Sequence, residues 1–307
     1  MDKRQIAKPT HGSLEWLHTR HRNAQGKCIV GASEVATVMG CNPYENIGDL
    51  AVRKLLDPVV SAPNEAMTRG NLLEPSIIAY ATLELGMELI CPDVMYAHNR
   101  IISTLDARGT GANESIVVEA KSNNHWALAT ELPQSWYWQA QAQMFCTGVD
   151  EITFAILDRH QRFGLDYVQR DNAMIEMMQE HVGLFCEAID HEELPDEVML
   201  TAPQVQLLFP KAEGEIALDN NALALINEWG ALKEALKDLE GKEKAIKDEL
   251  ADMMRGNEFA TIDGYRVLSY KAQSAKRFDS KALLAAQPHL EKEYTTTSTF
   301  RVMRTMK

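Results

Sequence analysis

Apolar positions recur at helical spacing through the first ninety residues and give way to strand-like runs after them. Residues 12–23 read as a short helix ending near Gly26, and Ser33 stands where a cap would open a second helix over SEVATVMG, closed by Gly40. CNPYENIGDLAVRKLL begins with an Asn42-Pro43 turn and continues as helix. In MTRGNLLEPSIIAYATLELG the residues Leu73, Ile77, Ile78, Tyr80 and Ala81 form one apolar face, with Gly86 placed to end it. Then the period shortens. RIISTLDA and SIVVEAK are β-branched runs on either side of RGTGANE, a pattern that predicts an antiparallel hairpin. PQSWYWQAQAQMFCTG returns to helix between Pro133 and Gly148. EITFAIL and FGLDYVQR are two more strands, and NAMIEMMQEHVGLFCEAID is a closing helix. The class is α/β, with a small mixed sheet flanked by helices.

A second region follows HEELPDEVMLTAPQVQLLFPKAEGEIALD, which bears prolines and no period. The expected organisation is a domain over 1–195, a linker over 196–220 and an extension over 221–307. From Asn221 to Met254 the residues Leu225, Trp229, Leu232, Leu236, Leu239, Ile246, Leu250 and Met253 step by three and four, and only Glu243 breaks the seam. This is a long amphipathic, coiled-coil-like helix suited to packing or assembly, its Lys and Glu residues a solvated face. The tail predicts two short strands around a helix, a small α+β unit.

Composition narrows the class without naming a chemistry. A chain of 307 residues with 45% hydrophobic and 24% charged residues has room for one large domain and an appendage. No apolar run approaches the roughly 20 residues that span a bilayer, and MDKRQIAKPTHG lacks the apolar core of a signal peptide, so a cytoplasmic protein without membrane contact is expected. The five cysteines, Cys28, Cys41, Cys91, Cys146 and Cys186, form no CxxC pair, which argues against a disulfide framework or a structural zinc site. A net charge of −13 argues against nucleic-acid binding over the whole surface but leaves room for a local basic groove. Lys3, Arg4, Lys8, Arg20, Arg22 and Lys27 are such a local excess near the start, and the tail adds Lys271, Lys276, Arg277, Arg301, Arg304 and Lys307.

The candidate chemistry lies in SIVVEAKS. Side chains alternate along a strand, so Glu119 and Lys121 share one face while Val118 and Ala120 share the other. An acid and a base at the end of a buried strand are costly unless something satisfies them. A second Glu-x-Lys, at Glu240 to Lys242, falls in the long helix, where residues two apart do not face each other. The first copy also has a hairpin partner that ends in Asp106. Two carboxylates beside an ammonium suit metal-assisted phosphodiester hydrolysis around a hard cation. An ion pair at a strand end, with Asp106 as a turn residue, fits the same spacing.

STLDA, VVEAK and WYWQAQAQM together resemble the PD-(D/E)xK nuclease core, with Thr104-Leu105 where many members have a proline before the aspartate. EWLHTRHR, GASEVATVMGCNPY, RGNLLEP and YWQAQAQMFCTGVDEITFAIL resemble, in order, the YqaJ-type viral recombinases, the family of phage lambda exonuclease. The resemblance implies Glu74, Asp106, Glu119 and the Ala120 carbonyl as metal ligands, Lys121 as the residue that positions or activates water, and Gln139 beside the lysine or the metal waters. Gln141 and Gln143 are expected at the surface or toward DNA. Arg20 and Ser33 are implied in holding the DNA 5′-phosphate, with Thr104 adding a hydroxyl. SNNHWALA, after Lys121, offers no match to a further family arginine. The implied activity is a Mg²⁺-dependent 5′-to-3′ exonuclease on double-stranded DNA ends, with Mn²⁺ as a substitute metal. It would leave 3′ overhangs for phage-type recombination. The implied assembly is a homotrimeric ring, and the implied partner is a single-strand annealing protein. The alternative is a non-catalytic DNA-end-binding or assembly protein that retains the fold.

Overall fold

The computed structural model describes residues 4–305 except 61, 63, 124, 125, 129, 197 and 299, so Lys3 and Lys307 lie outside the described residues. The chain divides into two compact units, Met1–Leu208 and Phe209–Lys307.

The first unit begins with β1 (Arg4–Ala7), α1 (Leu14–His21) and β2 (Val30–Gly31). Ser13 caps α1 by accepting from the Trp16 amide. Ser33 is no cap. It sits in a 3₁₀ turn, Ala32–Glu34, that leads into α2 (Val35–Val38), and its hydroxyl accepts from Arg20 instead. α3 (Ile47–Leu55) opens on the Asn46 cap, and α4 (Glu65–Leu85) ends at Gly86 in the left-handed conformation, φ 63°. Pro75 lies inside α4, about ten residues from its start, where its missing N–H leaves the Asn71 carbonyl without its helical donor.

β3 (Leu89–Ile90), β4 (Val94–His98), β5 (Ile101–Ser103), β6 (Ala107–Gly109) and β7 (Val117–Ser122) follow. The expected hairpin forms in part. The run IISTLDA divides after Ser103: β5 joins a four-stranded sheet of order β1-β4-β5-β2, while β6 pairs antiparallel with β7 in a second sheet. Thr104 to Asp106 carry the chain between the two sheets. α5 (Gln134–Thr147) then crosses to β8 (Glu151–Leu157), parallel to β7, and β9 (Phe163–Gln169) returns antiparallel. The sheet order β3-β6-β7-β8-β9 is mixed, and α6 (Asn172–Asp190) closes the layer on the α5 side.

Alternation along β7 and β8 sorts two cores. Val117, Ile152, Phe154 and Ile156 pack with α2, α5 and α6, whereas Val118, Ala155 and Leu157 pack with Ile77 and Ala81 of α4. The expected linker is partly helix: α7 (Ala202–Leu208) belongs to the first unit, held to α3 where Gln204 donates to Asp49.

In the second unit, α8 (Asn220–Met254) is the long helix, capped by Asp219. The tail differs from expectation in order. β10 (Phe259–Ile262) and β11 (Tyr265–Ser269) form a hairpin first, and α9 (Ser280–Ala286) and α10 (His289–Tyr294) follow. Asp263 (φ 50°) and Gly264 (φ 82°) supply the two positive φ angles of a tight hairpin turn, a signal legible in the sequence as Asp-Gly. Among the described residues no helix is long and apolar enough to cross a membrane.

Ile77 is 1% exposed and fixes α4 to the sheet. Ile77→Ala should therefore lower the stability of the first unit by about 2–5 kcal/mol, read as an earlier urea midpoint in its tryptophan fluorescence.

Candidate active site

The site is built on β7. Glu119 and Lys121 point to α5, on the face opposite Val118, and Gln139 and Gln143 stand one helical turn apart on α5 to meet them. Glu119 Oε1 accepts from Lys121 Nζ at 2.7 Å and from Gln139 Nε2 at 2.6 Å, and Oε2 accepts from Gln143 Nε2 at 2.5 Å. Lys121 Nζ also donates to Gln139 Oε1 at 2.8 Å and lies 5.8 Å from the Trp136 ring centroid. Glu119 is 4% exposed. A carboxylate offers about four lone pairs, so three donors leave one on Oε2.

Gln141 and Gln143 overturn the expectation that they face outward: both are buried. The reason is that α5 is covered by α2 and α6 as well as by the sheet. Gln141 links Gln169 O, at 2.8 Å, to the Asp171 amide, at 2.9 Å. Gln143 grips Glu119, and its own Oε1 is buried with no hydrogen-bond partner among the described residues. The Q-x-Q-x-Q spacing contained the signal, since residues 139 and 143 share a helix face.

The hairpin register sets Asp106. Ala107 pairs with Val118, so Asp106 continues the ladder opposite Glu119, and its Oδ2 accepts from the Ala120 amide at 2.9 Å. Burial, then the charges of Glu119 and Glu74, push the Asp106 carboxyl well above the usual aspartate range against the pull of Lys121 and the Ala120 amide. Glu74, half-buried on α4, is also raised, by burial first and by Glu119 second. The three carboxylates thus feel one another, with Lys121 as the ammonium among them. Their oxygens suit a hard divalent cation in kind and in charge. They are not spaced as a ready cage: among the described residues no three Asp, Glu, His or Cys side chains are grouped to hold an ion.

A second cluster lies where α1 meets β2. Arg20 Nη2 donates to Ser33 Oγ at 2.9 Å, and the guanidinium lies 4.4 Å over the Trp16 ring. Among the described residues Arg20 has no carboxylate within ion-pair distance. It borders a cleft of about 620 Å³ shared with Trp16, Ser33 and Arg53. Burial lowers the pKa of Arg20, while Glu34 and Glu119 favour its charge. No hydrogen bond among the described residues ties Thr104 to this pair. Arg22 is engaged by the backbone, donating to His21 O at 3.1 Å and Lys54 O at 2.7 Å, and Lys27 reaches Asp190 at 3.8 Å.

Sequence reasoning missed three charged neighbours. Glu34, Arg53 and Lys54 form a network, with Arg53 Nη1 at 2.6 Å from Glu34 Oε1 and Lys54 Nζ at 2.8 Å from Oε2. The one available signal was Lys54, a lysine one turn after Leu50 on the apolar face of α3.

Residues 15–150 match the profile of the YqaJ-like viral recombinase domain. The chain is 22% identical over 308 residues to the uncharacterized protein YqaJ of Bacillus subtilis (strain 168), covering 94% of this chain and 92% of that one. Among solved structures it is similar to an alkaline exonuclease, LHK-Exo, from Laribacter hongkongensis, at 22% identity and a TM-score of 0.49. That match covers 59% of this chain and 94% of that one. A phage-related exonuclease from Haemophilus somnus 129PT is similar at 14% identity and a TM-score of 0.44, over 55% of this chain and 96% of that one. In this matched region the Glu-x-Lys strand lies in a mixed sheet, and the glutamine-bearing helix packs over it.

The Asp106 carboxyl should titrate above the usual aspartate range in protein free of divalent cations. Glu119→Gln removes a neighbouring negative charge, so it should move that titration downward, checked by carbon-detected NMR of the Asp106 carboxyl. An unchanged midpoint would show that burial alone sets it.

Proposed function

We propose that this chain is a metal-dependent 5′-to-3′ exonuclease acting on double-stranded DNA ends. The observation that carries the proposal is Glu119 held between Lys121, Gln139 and Gln143, with Asp106 and Glu74 raised by burial and then by its charge. A purely structural ion pair has no need of two further carboxylates within range of its charge. Mg²⁺, with Mn²⁺ as a substitute, would be held by Glu74, Asp106, Glu119 and the Ala120 carbonyl and would supply Lewis acidity toward a phosphodiester and its attacking water. Asp106 and Glu74 would close toward it, because a divalent charge reverses the repulsion that now keeps them protonated to higher pH.

The remaining roles belong to the chain's own atoms. Lys121 has three N–H bonds and uses two on Glu119 and Gln139, which leaves one to orient a water at the scissile phosphate. Gln139 bridges carboxylate and ammonium and so fixes the lysine. Arg20 and Ser33 would grip the terminal 5′-phosphate. Arg20 suits this as a half-buried guanidinium without a carboxylate partner, stacked on an indole and beside a hydroxyl. A fixed grip on the 5′ end sets polarity and leaves the other strand as a 3′ overhang, the substrate of a single-strand annealing protein in phage-type recombination. Basic residues inside a homotrimeric ring threaded by DNA would reconcile a net charge of −13 with that substrate. Light scattering of the purified chain tests the trimer.

With Mg²⁺ and a 5′-phosphorylated, end-labelled duplex, the wild type should release mononucleotides. Lys121→Ala should slow this by at least about 10²-fold, and equal digestion by both would remove Lys121 from the mechanism. Metal binding competes with protons on Asp106 and Glu74, so Mg²⁺ affinity measured by calorimetry should weaken as pH falls. No heat with either Mg²⁺ or Mn²⁺ would favour a DNA-end-binding protein without catalysis.

A further inference from the structure

Lys54 is 1% exposed, and all three of its ammonium hydrogens have acceptors. Nζ donates to Arg20 O at 2.9 Å, to Ile29 O at 2.9 Å and to Glu34 Oε2 at 2.8 Å. Each acceptor belongs to a different piece of the phosphate notch. Arg20 O is in the last turn of α1, where helical carbonyls lack intrahelical donors and a cation is favoured. Ile29 leads into β2. Glu34 ends the 3₁₀ turn that presents Ser33, and its Oε2 also accepts from the Gly31 amide at 2.7 Å.

The same pair decides which cation stays available. Glu34 faces Lys54 on one oxygen and Arg53 on the other, and Arg53 also binds Glu45 at 2.9 Å. Their carboxylates are therefore satisfied by α3, and Arg20 is left to Ser33. The fit is close. Arg20 lies against Gly31, where a Cβ would fall 3.0 Å from Cζ and collide with Nη2, so a side chain there would push the guanidinium from its place.

We infer that Lys54 and Glu34 are positioning residues: one buried ammonium–carboxylate pair registers the end of α1 against β2 and the Ser33 turn, and so sets the preference for a 5′-phosphorylated end. This rests on the reading of Arg20 and Ser33 as the phosphate grip. Misplacing a binding group by about 1 Å can cost 10²-fold, and without Lys54 three acceptors lose the donor that aligns them.

The test compares mononucleotide release, with Mg²⁺, from two duplexes of one sequence, one with a 5′-phosphate and one with a 5′-hydroxyl. Lys54→Met and Glu34→Gln should each lower the phosphate-to-hydroxyl rate ratio at least tenfold, with the hydroxyl-end rate within twofold of wild type and a native circular dichroism spectrum. If Lys54→Met does not fold, Glu34→Gln, which keeps the side-chain volume, decides. A wild-type ratio well above one that both folded variants retain, with any losses equal on the two ends, overturns the inference alone. A wild-type ratio near one overturns the phosphate-grip reading and the inference with it.

Discussion

The ionised carboxylate of a residue that is 4% exposed persists only when donors replace the water it has lost. Glu119 has three such donors, and satisfying them constrains much of the first unit. Lys121 must stand two residues on in the same strand, which requires β7 to remain extended to its end. Gln139 and Gln143 must lie one turn apart on a helix packed flat over that strand, which requires the crossover from β7 through α5 to the parallel β8. Removing a partner from such a buried charge typically costs about 3–5 kcal/mol, so the arrangement is stiff as well as charged.

Around this centre the chain tolerates an electrostatic conflict. Asp106 and Glu74 stand near Glu119, and each has its proton held to higher pH by burial and by its acidic neighbours. In a polypeptide selected for stability alone, apolar residues at these positions would relieve the repulsion. Repulsion of this kind makes a site receptive to a cation, because binding converts three unfavourable pairs into attractive contacts with one ion. The Arg20 notch has the opposite sign: Arg20 lacks a carboxylate partner within ion-pair distance among the described residues, while Glu34 and Glu45 are neutralised by Lys54 and Arg53. A unit that carries both an acidic pocket and an unpaired guanidinium is the charge pattern on which the proposed nuclease reading rests.

The notch and the pocket use different devices to place a charge. Glu119 is fixed by side chains alone, whereas Arg20, besides its contacts with Ser33 and Trp16, is placed through its own backbone carbonyl and the space left by Gly31. The second device depends on main-chain atoms, whose positions follow from how α1, β2 and α3 dock. It is therefore sensitive to substitutions that never approach the guanidinium itself.

Periodicity determined much by itself. The alternation in VVEAK placed Glu119 and Lys121 on one face, the 3.6-residue pattern placed α4, α5 and α6, and the steps of three and four gave the long α8, because these depend on residues close in sequence. The motifs likewise singled out Arg20, Ser33, Asp106 and Gln139, all of which lie within the 15–150 stretch that matches the YqaJ-like profile. What only tertiary structure decided was everything that turns on which surface covers which. Gln143 looked exposed until α2 and α6 were seen to cover α5; IISTLDA looked like one strand until β5 and β6 joined different sheets; Lys54 drew no role until its ammonium was seen to meet Arg20 O and Ile29 O. Local sequence sets the direction of a side chain relative to its own backbone. Whether that direction ends in water or in another residue's hydrogen bond depends on segments dozens of residues away.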